Sequence, residues 1–170
     1  MRDITGTQGL LALIKYVGES KTKDMIEIGT FIGESTVLFG QNFKSVTAID
    51  PFLEGYDPED STSRFDFNEV YQEYLNRTKP YPNINTITLT SDDAFSRVKD
   101  MQYDFIYIDG LHQYEQVKID IENYMQLVKP GGYIAGHDYG AVWPGVKKAV
   151  HQVLGEPDMI FEDTSWIKRL

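Results

Sequence analysis

The chain has 170 residues, no cysteine, and 26 Asp and Glu against 16 Lys and Arg, a formal net charge of −10. This length predicts one domain with a full core, and the missing cysteines exclude both a disulfide framework and a thiolate metal site. An acidic surface repels phosphate backbones and anionic lipid, so neither nucleic acid nor a membrane is expected as a partner.

The first predicted element is a helix over residues 7–17, where Leu10, Leu11, Leu13, Ile14 and Val17 recur at helical spacing and Gly18 stops it. Met25 to Ile28 reads as a short buried strand. Gly29 to Gly33 follows as a tight turn, and a helix starts near Glu34. Ser45 to Ile49 is a second strand, broken at Asp50-Pro51. The segment 52–65, rich in Gly, Pro, Asp and Ser, predicts a long loop of the kind that serves as a lid. Asp66 to Lys79 is read as helix, ended by Pro80 and Pro82, and Ile84 to Leu89 as a β-branched strand. Ser91-Asp92-Asp93 then caps a short helix, Ala94 to Val98.

Tyr103 to Ile108 is almost continuously apolar, as in a strand covered on both faces. Tyr114 to Val128 is the clearest helix, with Val117, Ile121, Tyr124, Met125 and Val128 on its stripe and Asp120 off it. Lys129-Pro130-Gly131-Gly132 is a sharp stop. A strand at Tyr133 to Ala135, a helix over Val146 to Leu154, and two closing strands, Met159 to Phe161 and Trp166 to Ile167, complete the chain. Alternating strands and helices predict an α/β fold: a three-layer, Rossmann-like, doubly wound sheet of about seven strands. It is mostly parallel, with one antiparallel strand in a C-terminal hairpin. No apolar run approaches the roughly 20 residues of a membrane span and the N-terminus lacks a signal-peptide pattern, so a cytoplasmic location is expected. The dense basic pairs, Lys147-Lys148 and Lys168-Arg169, read as solvated surface.

Four features fall at strand ends, and in a parallel sheet those ends share one edge, where ligands of open α/β sheets settle. The first is the glycine turn Gly29-Thr30-Phe31-Ile32-Gly33, which lacks the third glycine of the dinucleotide fingerprint and suits a cofactor with no pyrophosphate. The second is Asp50, placed to accept the hydroxyls of a ribose. The third is Ser91-Asp92-Asp93, one of which can meet an adenine amino group; these residues also make good helix-cap chemistry. The fourth joins Asp109-Gly110-Leu111-His112 with Gly136-His137-Asp138. Asp109, His137 and Asp138 can converge on one divalent cation, Mg²⁺ by their oxygens or Mn²⁺ by the imidazole. His112, with an ordinary pKa near neutrality, is the candidate general base on a substrate hydroxyl. Phe31, Tyr56, Tyr114, Tyr139 and Trp143 are candidate pocket aromatics, whereas His151 is expected on the surface.

With these residues in place, the chain resembles the class I S-adenosylmethionine-dependent methyltransferases. It is most similar to the compact group around macrocin O-methyltransferase and the cephalosporin-hydroxylase-like proteins, and more distantly to catechol O-methyltransferase. The resemblance rests on IEIGTFIGEST, TAIDPF and YDFIYIDGLHQYEQVKIDIENYMQLVKPGGYIAGHDY. It implies a seven-stranded sheet with a reversed hairpin and S-adenosylmethionine as cofactor. Glu27, Gly29 and the turn through Thr30, Phe31 and Gly33, with Ser35 just inside the helix, would meet the methionine part. Asp50, followed by Pro51, would hold the ribose, Asp92 or a neighbour the adenine, and Asp109 would add a contact from the next strand. In metal-dependent relatives, an acid at the position of Asp109 and a polar pair at that of His137-Asp138 bind Mg²⁺ beside the acceptor hydroxyls; here His137 stands where an acid is common. The expected reaction is methylation of a hydroxyl on a small molecule or sugar, metal-assisted, with His112 and Asp109 as catalytic residues. A homodimer through an apolar face of the first helix is a further expectation. The rival readings are a nicotinamide-dependent oxidoreductase and a nucleoside-binding module without chemistry.

Overall fold

The computed structural model describes residues 4–170, and side chains from Gly6 onward. The elements run α1 (Ile4–Val17), β1 (Asp24–Ile28), α2 (Glu34–Asn42), β2 (Ser45–Ile49), α3 (Phe67–Thr78), β3 (Ile84–Ile87) and α4 (Ser91–Val98). They continue with β4 (Tyr103–Ile108), α5 (Tyr114–Tyr124), β5 (Val128–Gly136), α6 (Pro144–Leu154), β6 (Met159–Ile160) and β7 (Trp166–Arg169). The seven strands form one sheet in the order β3-β2-β1-β4-β5-β7-β6. β1 to β5 pair in parallel, while β7 is antiparallel to both β5 and β6 and so is the single reversed strand. The strand order reverses between β1 and β4, which makes their carboxyl ends the switch point of the sheet.

The alternation of side chains along the central strands builds two cores. Ile26, Ile28, Ile106, Ile108 and Ile134 face α4, α5 and α6, meeting Val117, Ile121, Val146 and Val150. Met25, Phe105 and Tyr107 face α1, α2 and α3, meeting Leu10, Leu13, Phe39 and Tyr74. This second core is aromatic: Phe43 stacks on Phe105 with centroids 5.3 Å apart, and Phe39 meets Tyr107 edge-on at 5.1 Å. The α1 stripe is thereby covered by the chain's own sheet; Leu11 and Tyr16 stay exposed, and the Tyr16 ring lies edge-on to Tyr133 and Phe161.

Most element ends shift by three residues or fewer from the sequence reading; the larger differences lie at α5 and β5, and the cap of α4 also differs. The helix expected through Val128 ends at Tyr124, followed by a 3-10 turn at Met125–Leu127. Lys129-Pro130-Gly131-Gly132 is not a stop but part of β5. The register moves from Tyr103↔Val128 to Phe105↔Tyr133 across it, so a bulge absorbs Pro130, which has no N–H to give, and Gly131, whose φ is 78°. At α4 the cap is Thr90, whose hydroxyl accepts from the Asp93 N–H, so Ser91, Asp92 and Asp93 form the first helical turn. The segment 52–65 is a loop as expected, but one with its own hydrogen bonds. Gly55 N–H donates to Ser63 O, Asp57 N–H to Ser63 Oγ, and Asp60 caps a 3-10 turn at Ser61–Arg64. Among the described residues, no helix is long and apolar enough to cross a membrane.

Candidate cofactor and active site

A cavity of about 690 Å³ opens at the carboxyl ends of β1, β2, β4 and β5, within the usual range for a small-molecule site. Its walls are the turn after β1, the loop after β2, the start of α4, the loops after β4 and β5, and the turn between β6 and β7.

The turn after β1 explains its glycine. Gly29 has φ 82°, and a Cβ there would lie 1.9 Å from the backbone oxygen of Asp109, so the chains leaving β1 and β4 touch without room for a side chain. Asp50, buried at the end of β2, organises the same turn. Its Oδ2 accepts from the N–H of Thr30 (2.8 Å) and of Phe31 (3.0 Å), and its Oδ1 from the N–H of Phe52 (2.8 Å). Burial nevertheless raises the carboxyl above its ordinary pKa, against those hydrogen bonds. Asp50 therefore lines the cavity as a clip between two loops as well as a candidate ribose contact. Phe31 takes a left-handed φ of 46° and packs on Phe65 and Phe67 from the loop and α3.

Thr30, Phe31, Ser35 and Pro51 line the cavity with Gly29 and Asp50. Gly33, at φ 82° before α2, packs against Tyr74 and lies outside the lining. Glu27 is fully buried one residue before the strand end and is likewise not in the wall. Asp92 is exposed and outside the lining; the inward position of that turn belongs to Ser91. Of the aromatics, Phe31, Tyr56 and Trp143 reach the cavity. Tyr139 is buried in the core, and Tyr114 bonds Gln152 on α6 and lies beneath Lys148. His151 is half-buried rather than on the surface, bonded to the Tyr139 hydroxyl and paired with Glu156.

Asp109, His137 and Asp138 do come together, with one ligand atom from each within 4.8 Å of the others. His137 Nδ1 is 3.2 Å from Asp138 Oδ2 and 3.8 Å from Asp109 Oδ1. Two carboxylates and an imidazole at this spacing fit a divalent cation. Asp138 holds a left-handed φ of 62°, and although burial opposes it, hydrogen bonds from His112 and His137 keep its carboxyl well below the usual range.

His112 sits differently from the free base that its type suggested. Its Nδ1 bonds Asp57 Oδ2 (2.8 Å), its Nε2 bonds Asp138 Oδ2 (3.1 Å), and its ring stacks on Trp143 with centroids 4.1 Å apart. Burial disfavours the charged ring, but the bonds to Asp138 and Asp57 outweigh it and push the imidazole up to about 9. At neutral pH it is thus a charged donor joining two carboxylates.

Two carboxylates of the site were not singled out from the sequence. Asp57, in the middle of the 52–65 loop, is buried and also accepts from Gln113 Nε2 (2.7 Å). Nothing local distinguishes it from its acidic neighbours, because the His112 and Gln113 side chains that it meets lie more than 50 residues away. Asp120 is only 2% exposed and lines the cavity, with its pKa pushed up to about 7 by burial. The signal for it was present: Asp120 follows Val117 by three and precedes Tyr124 by four, which puts it on the buried face of α5.

A sequence model for a family described as a methyltransferase domain matches residues 26–139, about two thirds of the chain. Protein R132 of Acanthamoeba polyphaga mimivirus is 32% identical over 136 residues, which covers 77% of this chain and 59% of that protein. Protein y4gI of Sinorhizobium fredii is 26% identical over 123 residues, 69% of this chain and 13% of that protein. The chain thus spans less than two thirds of the length of both relatives. Among solved structures, an O-methyltransferase from Bacillus cereus in complex with SAH superposes with a TM-score of 0.65 at 17% identity, covering 97% of this chain and 80% of that one. The O-methyltransferase NovP gives 0.66 at 18% identity, covering 94% and 78%. The fold is therefore the Rossmann-like one of those enzymes, and the chain belongs to the methyltransferase-domain family.

Proposed function

We propose that this protein transfers a methyl group from S-adenosylmethionine to a hydroxyl oxygen of a small molecule or sugar. The observation that carries this reading is the cavity itself. At one point of its wall the Gly29 turn and the Asp109 backbone meet, and beside them stand Asp109, His137 and Asp138, the donor set for a cation that would hold an acceptor hydroxyl.

In this reading the turn Gly29 to Phe31, with Ser35, Asp50 and Pro51, carries the cofactor, which supplies an electrophilic methyl on a sulfonium. Mg²⁺ or Mn²⁺ on Asp109, His137 and Asp138 would polarise the acceptor hydroxyl. The chain's main contribution is alignment of oxygen and methyl carbon, an effect on the order of 7–11 kcal/mol when the geometry is near-attack. His112 lies at the same wall as a charged donor that holds Asp57 and Asp138 in place; it takes the hydroxyl proton only in a state that has released its Asp138 contact and already given its Nε2 proton to solvent.

The test is a thermal-shift series with S-adenosylhomocysteine, with NAD, and with each plus Mg²⁺ or Mn²⁺. Stabilisation by S-adenosylhomocysteine that grows with the cation supports the reading, since a ligand that binds only the folded state stabilises it by mass action. A shift with NAD alone would replace it by the oxidoreductase reading.

A further inference from the structure

The most unusual polar group in the cavity wall lies away from the cation cluster. Asp120 projects from α5 into the wall at 2% exposure. Its Oδ1 accepts from Gln116 Nε2 at 3.1 Å, and the Ser91 hydroxyl also donates to it. The same Gln116 amide reaches Ser91 Oγ at 3.3 Å, so the α4 and α5 ends of the cavity share one polar group of three side chains. Ser91 itself is buried and in the wall.

The loop over this end carries Tyr56, which is also in the wall. Burial, with the fields of Asp120 and Asp92 next in size, pushes its hydroxyl up to about 12, so the phenol is neutral and lies near those carboxylates. An apolar ring, a serine hydroxyl and a carboxyl around one end of a cavity suit a flat heterocycle with donors and acceptors on its edge.

For the fold alone, Asp120 is a poor choice. A carboxyl taken out of water costs stability unless it is well paired, and here burial dominates over its hydrogen bonds. A buried carboxyl in the wall of a cleft, with its burial only partly offset by hydrogen bonds, marks a candidate ligand contact.

Resting on the cofactor reading above, we propose that Asp120, with Ser91 and Gln116, reads the nucleobase of the cofactor, Asp120 accepting a hydrogen bond from the exocyclic amine of adenine. Ser91 can rotate its hydroxyl toward a ring nitrogen. Asp92, the neighbour expected from the sequence, is exposed and outside the wall, and accepts from the same Gln116 Nε2 at 3.4 Å. Replacing the 6-amino group by a 6-oxo group sets acceptor against acceptor at Asp120. A site built to bond an N–H discriminates against the analogue that lacks it.

The experiment is calorimetric titration of the full chain with S-adenosylhomocysteine and with S-inosylhomocysteine at pH 8, where Asp120 is ionised and can only accept. The wild-type protein should prefer the adenine compound by about tenfold or more, the worth of one hydrogen bond to a charged group. D120A and the bulkier D120L should bring the two affinities within about twofold of each other. D120N, whose amide can turn to offer its N–H to a 6-oxo group, should narrow the preference by strengthening binding of the inosine compound. D120L keeps the site filled if D120A does not fold, and melting curves of all variants report on folding. A wild-type protein that binds both compounds equally, or an alanine or leucine variant that keeps the preference, overturns the assignment and leaves the cofactor reading intact. A wild-type protein that binds neither compound removes the cofactor reading, and the assignment with it.

Discussion

Asp57 Oδ2 and His112 Nδ1 lie 2.8 Å apart, joining the middle of the loop after β2 to the loop after β4 across 55 positions of sequence. Asp57 also accepts from the backbone N–H of His112 and from the Gln113 side chain, so three bonds from one motif end on one carboxylate. D57A is expected to free the 52–65 loop. Amide hydrogen exchange should speed up there and in residues 110–113, with a stability loss of about 1–3 kcal/mol for breaking a buried network. Burial opposes the Asp57 charge, but the bonds from His112, Glu59 N–H and Gln113 leave its pKa below the ordinary value. Its stabilisation is therefore present above the unfolded carboxylate range and is lost as pH falls through the lower folded value. Unchanged exchange in D57A would show that the loop is held by other contacts.

Asp120 has the opposite sign. Its folded pKa is raised from 3.8 to about 7, so between those values the unfolded chain has released a proton that the folded one retains. Stability must then fall as pH rises from about 4 to about 7, and level off above. The full effect is on the order of 4 kcal/mol at about 1.4 kcal/mol per unit. D120N, which never ionises, should lose this slope, and its advantage over wild type should grow with pH. Melting temperatures of the pair from pH 4 to 8 test this; parallel curves would mean that Asp120 is solvated in solution.

Gly29 is the tightest backbone contact in the site. In G29A the new methyl would have to displace the Asp109 carbonyl from 1.9 Å, at a φ of 82° that alanine disfavours. A loss of about 3 kcal/mol or more in denaturant unfolding is expected, together with loss of S-adenosylhomocysteine binding. G18A has the same kind of positive φ with open space around it, and should cost no more than about 1–2 kcal/mol and leave binding intact. Equal losses in the two variants would rule out the close approach as the cause.

The cation cluster gives a separable prediction. D109N, H137A and D138N should each remove most of any Mn²⁺-dependent increase in melting temperature, because each takes one donor from a set of three. E122Q, on the exposed side of α5 and paired with Lys118, should not. A chelator should return the metal-loaded wild type to the melting temperature of the metal-free protein.

In the sheet, F105A removes a ring packed between Phe39 and Phe43 and should cost about 3–5 kcal/mol. Urea midpoints at constant slope would measure it.

The fold was legible in the sequence because its strands are short, apolar and regularly separated by helical periods. Where Pro130 and Gly131 sit inside a strand, local chemistry pointed the wrong way, because a bulge between two partner strands accommodates what a regular ladder would reject. The strand-end acids were legible for the same reason: parallel topology brings Asp50, Asp109 and Asp138 to one edge whatever lies between them. Asp57 was not, since a loop acid takes its meaning from a partner chosen by tertiary structure. Asp120 was misread because a charge was assumed to lie on the wet face, although its spacing from Val117 and Tyr124 put it on the dry one. The state of His112 was also beyond the sequence: its residue type gives a neutral base, and its two carboxylate partners make it a cation.

The absence of room between Gly29 and Asp109 has an architectural consequence. The two halves of the cleft, one fed by β1 and the other by β4, are fused at their backbones and form a single rigid keel. Any descendant of this sequence that takes on a different acceptor must be remodelled elsewhere, in the 52–65 loop, the stretch after Asp138 or the turn between the last two strands, where side chains can be exchanged without splitting that seam.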